Sequence, residues 1–134
     1  MSNDAVVAIE REPDIIAARQ RGRELASVAG FRGSDLTLIA TAISELARNI
    51  VAYAKRGSVS LRVIDEAGRR GIEVIAEDRG PGIANIELAL QDGYSTGKSL
   101  GLGLPGARRI MDEFAIESQL GRGTRVCARK WVRR

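Results

Sequence analysis

Residues 36–54 read LTLIATAISELARNIVAYA, and the periodicity of this stretch decides the kind of fold. At about 100° per residue, Leu36, Ile39, Ala40, Ile43, Ala47, Ile50, Val51 and Ala54 share one stripe, as expected of a helix packed on a core. Ser34-Asp35 stands where a helix is capped and Gly57 where one stops, so a long helix is expected between them. Opposite the stripe lies Glu45, with Asn49 one turn further along. Their neighbours on that face are Leu38, Ala42, Leu46 and Tyr53 rather than a run of Lys and Glu. A lone carboxylate and a lone amide in such company are either solvated decoration or part of a second, partly buried surface holding a polar ligand. The helix alone leaves both open.

Working outward, Ala5-Val6-Val7-Ala8-Ile9 reads as a short strand. A helix starting near Pro13 follows and stops at Gly30. After the long helix, Val59-Leu61-Val63 and Ile72-Val74-Ala76 alternate as two strands around a turn at Glu66-Ala67-Gly68-Arg69-Arg70, a hairpin. Residues 79–103 are rich in Gly, Pro and Ser, broken by a short helical piece around Ile86–Leu90. A helix from Leu104 to Phe114 is expected next. Ile116–Ser118 and Thr124–Ala128 then pair across the Gly121-Arg122-Gly123 turn. The economical packing is an α+β, two-layer sandwich: a largely antiparallel, mixed sheet with helices on one face.

The 134 residues fit a single domain over 1–134, and 44% apolar content is enough for a real core. Charge is mildly basic, 21 Lys and Arg against 17 Asp and Glu, which suits a phosphate ligand or an acidic partner protein. With only 4% aromatics for base stacking, a dedicated nucleic-acid binder is not expected. No apolar run approaches the roughly 18 residues that span a bilayer and no signal peptide opens the chain, so a cytoplasmic protein without a membrane partner is expected. The sequence contains no histidine, which excludes imidazole bases and His-ligated zinc, and the single Cys127 excludes an internal disulfide. Cys127 lies in an alternating run and reads as a buried structural thiol. Chemistry must come from carboxylates, amides, Lys and Arg, hydroxyls, the backbone and a borrowed cofactor.

Two glycine-rich stretches supply candidates for that chemistry. In Glu77-Asp78-Arg79-Gly80-Pro81-Gly82 an apolar strand ends in a carboxylate and a Gly-Pro-Gly turn. There the backbone can approach a flat ligand, and an acceptor can bind an exocyclic amine. A plain turn fits that stretch equally well. Gly93, Gly97, Gly101 and Gly103 precede a helix start, where amides are available to phosphate oxygens. Gly97-Lys98-Ser99 imitates a Walker loop, but Gly93 is one residue too close; Gly101–Gly106 matches GxGxxG, but a loop rather than a strand precedes it. Both readings fail.

In this order, the pieces resemble the GHKL ATPase superfamily with its Bergerat ATP-binding fold, and within it the small bacterial switch-protein serine kinases. Glu45-Leu46-Ala47-Arg48-Asn49 is similar to the N-box, Asp78–Gly82 to the first glycine box, Gly101-Leu102-Gly103 to the second, and Gly123-Thr124 to the late Gly-Thr of that fold. The resemblance implies ATP and Mg²⁺ as cofactors. Asn49 would be the Mg²⁺ ligand and Glu45 the general base toward a serine hydroxyl. Asp78, helped by Thr124, would accept from the adenine amino group in a pocket shaped by Gly80 and Gly82. Gly101, Leu102 and Gly103 would lie along the phosphates, and Lys98 would either reach the γ-phosphate or remain a solvated loop lysine. It also implies partners: a STAS-domain antagonist as substrate, a PP2C-type phosphatase activated on release, and a stressosome scaffold. The alternative within the family is an anti-sigma factor with serine kinase activity.

Overall fold

A computed structural model describes residues 3–90 and 103–133. Lys98, Gly101 and Leu102, with Gly93 and Gly97, lie outside the described residues. The chain runs β1 (Asp4–Ile9), α1 (Glu12–Ala29), α2 (Ser34–Asn49), a π-helical turn (Ile50–Ala54), β2 (Gly57–Glu66), β3 (Arg69–Asp78), the single-turn α3 (Ile86–Ala89), α4 (Gly103–Ile110), β4 (Glu113–Gln119) and β5 (Gly123–Trp131). The five strands lie in the order β1-β2-β3-β5-β4, and each described pairing is antiparallel. The α+β sandwich expected from the sequence is what forms, its sheet antiparallel throughout the described residues.

Alternation along the strands explains the layers. Val59, Leu61, Ile72, Val74, Ala76, Val126 and Ala128 point to one face and join Ile15, Leu25, Ile39, Ile43, Leu46 and Ile50 of the helices in one core. α1 and α2 approach closely because residue 22 is glycine: a Cβ there would sit 2.1 Å from Ile43 Cδ1. The start of α1 is held by Asp14, whose carboxylate accepts the Glu10 and Arg11 N–H groups at 2.8 and 3.0 Å, and its end by Gly30 at φ 114°.

The opposite face of the sheet carries Glu73, almost fully buried, between Arg62 and Arg129. Arg62 Nε donates to one carboxylate oxygen at 2.7 Å and Arg129 Nε to the other at 2.9 Å. Burial pushes the Glu73 carboxyl up, but these two guanidinium groups outweigh it and hold it below the ordinary glutamate value. Cys127 lies on this same face and is half-buried, not the core thiol its alternating context suggested. Its neighbours Val126 and Ala128 take the inward positions.

Three element boundaries differ from expectation. α2 begins after Gly33 with no side-chain cap, so Ser34 and Asp35 sit inside the first turn. Its α-helical part stops at Asn49, where the backbone widens into the π turn that ends with the Lys55 N–H donating to the Ile50 carbonyl at 2.8 Å. α4 ends at Ile110, not Phe114. Lys130 Nζ caps the Ile110 carbonyl at 2.8 Å, and Asp112 ties to β5 through the Arg129 carbonyl and the Trp131 N–H. Those bonds pull Phe114 into β4.

Candidate active site

Glu45 is 4% exposed, so the polar face of α2 is covered. The cover is α4, whose Leu104, Pro105, Gly106 and Ala107 are buried. One Glu45 carboxylate oxygen accepts the Gly103 N–H at 3.0 Å, at the start of α4. The contact joins the helix motif to the second glycine motif across 58 residues of sequence. A carboxylate at a helix N-terminus is favoured by the amides exposed there. One turn along, Asn49 is half-buried at the last α-helical position of α2, and its side-chain amide has no hydrogen-bond partner among the described residues.

Asp78, the last residue of β3, is half-buried, and one of its carboxylate oxygens accepts the Gly80 N–H at 2.8 Å. Its register partner on β5 is Thr124, which is buried. The Thr124 hydroxyl lies 2.8 Å from that of Ser118. Ser118 in turn donates to the Gly123 carbonyl at 3.1 Å and accepts the Ile83 N–H at 2.7 Å. With the Ser118 proton committed to Gly123, Thr124 donates to Ser118 and keeps its own lone pairs as acceptors. Ser118 was missing from the sequence-derived site. Its signal was the inward strand position opposite Thr124 across the 121–123 turn.

The glycines of this corner make close backbone approaches possible. A Cβ on Gly80 would stand 2.5 Å from Ala54 Cβ, one on Gly82 (φ 78°) 2.3 Å from the Gln119 carbonyl oxygen, and one on Gly123 (φ 114°) 2.1 Å from the Asp78 carbonyl oxygen. The Gly121 N–H donates to the Pro81 carbonyl at 2.9 Å, fastening the turn to the β4–β5 hairpin. The structure thus gathers Asp78, Gly80, Gly82 and Thr124 at one corner and joins Glu45 to Gly103 across the α2–α4 contact, with Asn49 one turn further along α2.

Among the described residues no group of three acidic, His or Cys side chains could hold a metal unaided. An unpartnered amide oxygen at Asn49 suits Mg²⁺, which takes one or two protein oxygens and fills its remaining positions from phosphates and water. No helix among the described residues is long and apolar enough to cross a membrane.

A five-stranded antiparallel sheet with helices on one face, a helix carrying buried Glu45 and half-buried Asn49, and glycine turns at the sheet's edge make up the fold of a histidine-kinase-type ATPase domain. The chain belongs to the family described as histidine kinase-like ATPase domain, which matches residues 9–130. It is 48% identical over 133 residues to Serine/threonine-protein kinase RsbT of Bacillus subtilis strain 168, covering 99% of this chain and 100% of that one. It is also 35% identical over 104 residues to an Anti-sigma F factor of Clostridium kluyveri, covering 72% of this chain and 70% of that protein. Among solved structures, the mycobacterial sensor histidine kinase MprB superposes with a TM-score of 0.57 at 15% identity, over 98% of this chain and 97% of that one, a likeness of fold.

Proposed function

We propose that this chain is an ATP-dependent protein serine/threonine kinase of a bacterial partner-switching module. Its substrate is a serine of a STAS-domain antagonist; once released, the chain binds and activates a PP2C-type phosphatase, with a stressosome scaffold as a further partner. Similarity over nearly the full length to a serine/threonine kinase, at 48% identity, supports the activity. The observation that carries the site is the buried Glu45 carboxylate against the Gly103 amide, since it unites two motifs far apart in sequence at one place.

Phosphoryl transfer is mostly positioning and charge neutralisation. Asn49 would hold Mg²⁺ through its side-chain oxygen, and the metal would supply that neutralisation when bound. Asp78 accepts from the adenine amino group and Thr124 lends an acceptor beside it. Gly103 offers its amide to the phosphates; the family resemblance implies the same for Gly101 and Leu102, and for Lys98 either a reach to the γ-phosphate or a solvated loop position. The seryl oxygen attacks the γ-phosphorus, its proton passes to Glu45, and the bond to the β-phosphate oxygen breaks to release ADP.

The test is Glu45→Gln, which keeps size and hydrogen-bond acceptance but cannot take the proton. Calorimetric ATP affinity and melting temperature are expected to stay near wild type while phosphate transfer to a STAS partner falls by about 10²–10⁴. Unimpaired transfer by the folded variant removes the general-base role. The anti-sigma reading draws on the 35%-identical relatives. Tight, ATP-dependent capture of a sigma factor, absent with the STAS and PP2C partners, would select it instead.

A further inference from the structure

Where β1 ends, β2 begins and β3 finishes, two adjoining clefts of about 640 and 540 Å³ open, sharing Glu10, Ala54 and Arg56. Four exposed cations line them: Arg11 and Lys55 the first, Arg56 both, Arg79 the second. None of the four forms an ion pair among the described residues. Of the acids at the same place, Glu77 is already 3.6 Å from Arg125, while Glu10 and Asp78 keep their charge, the Gly80 amide that Asp78 accepts being neutral. Four cations thus face two carboxylates without an ion pair among them. The remaining excess of positive charge at one rim attracts a carboxylate-rich partner.

The backbone carries a second sign. Lys55 sits at φ 75°, a left-handed conformation that glycine or asparagine adopts at less cost. It terminates the π turn of Ile50–Ala54, a geometry concentrated at functional positions. The strained backbone fixes where this lysine leaves the chain, at the mouth of the basic cleft. The floor is small and non-aromatic, with Ala8, Ala54, Gly57 and Ser58, so it offers bases nothing to stack on. β1 is the edge of the sheet, so an extended chain can lie beside it.

We infer that this cleft docks an acidic, extended segment of a partner protein, its carboxylates meeting Arg11, Lys55, Arg56 and Arg79. The cleft borders the proposed nucleotide site at Asp78, so its test uses nucleotide-free protein, in which binding of the acidic segment does not depend on that reading. The full chain, labelled with ¹⁵N, is titrated with hexaglutamate, hexalysine and oligothymidylate. Hexaglutamate is expected to shift the amides of residues 10–11, 55–56 and 79, with affinity that weakens as salt rises. The double variant Lys55→Gly/Arg56→Ser should lose about tenfold in that affinity. It should melt no lower than wild type, because glycine relieves the strain at position 55. Shifts elsewhere, no shifts, or equal affinity in the folded variant would overturn the inference. Tighter binding of oligothymidylate at the same residues would overturn it too, in favour of nucleic acid.

Discussion

One oxygen of Asp78 holds the Gly80 amide, and asparagine at that position keeps this acceptor while turning the other oxygen into a donor. Asp78→Asn should therefore preserve the turn and the melting temperature but meet an adenine amine donor-to-donor. Nucleotide affinity is expected to fall about tenfold or more, as for loss of a charge-assisted hydrogen bond, and calorimetric titration reads it directly. Unchanged affinity would remove Asp78 from adenine recognition. The same residue marks the limit of what sequence conveys at this scale. A strand-end carboxylate before Gly-Pro-Gly was legible, but its engagement with the Gly80 amide was not. Glu45 is similar: periodicity gives the face of α2 it occupies and cannot say what covers that face, because α4 lies 58 residues further along.

Among the elements, the β2–β3 hairpin offers the cleanest experiment. Its two-residue turn, Ala67-Gly68, has φ 52° and 78°, the geometry that matches strand twist and that asparagine-glycine sequences prefer. Alanine is the wrong residue at the first position. Ala67→Asn should stabilise the protein by about 0.5–1 kcal/mol, seen as a higher midpoint in urea with an unchanged slope. A lowered midpoint would mean that the turn does not hold this geometry in solution. Hairpins, the Gly30 stop of α1 and the apolar stripe were readable because they depend on neighbours in sequence. The ends of α2 and α4 were not. α2 yields to a π turn packed under Gly80, and α4 stops where Lys130, 20 residues downstream, claims its last carbonyl. Long-range partners decide such boundaries, and propensity contains no record of them.

Across the whole molecule, Glu73 on β3 joins Arg62 on β2 to Arg129 on β5, and Arg129 also meets Glu66 at 3.2 Å. Because the folded-state carboxyl titrates below its unfolded value of about 4.5, its contribution is complete above that pH. It is lost as pH falls through the lower folded value. Thermal scans from pH 7 to pH 3 should show wild-type stability declining in that acid window. Glu73→Gln should begin less stable and decline less steeply there. Glu73→Ala should cost about 2–3 kcal/mol at neutral pH, discounted because Arg62 is itself more than half exposed. Parallel acid profiles for wild type and Glu73→Gln would dismiss the network as a source of pH dependence. This network was invisible in the sequence, because its charges meet only when β2, β3 and β5 pair.

The short helix α4 is gripped by opposite charges, a carboxylate at its beginning and an ammonium at its end. Its first amide is never idle: in the resting protein Glu45 already occupies it. For the ATP of the proposed function, a phosphate oxygen arriving there is a rival, and the exchange swaps one anionic acceptor for another at the same amide. Under the proposed chemistry, the same displacement that seats the phosphate unties the group that must receive the seryl proton. Docking the donor and arming the base then become a single event.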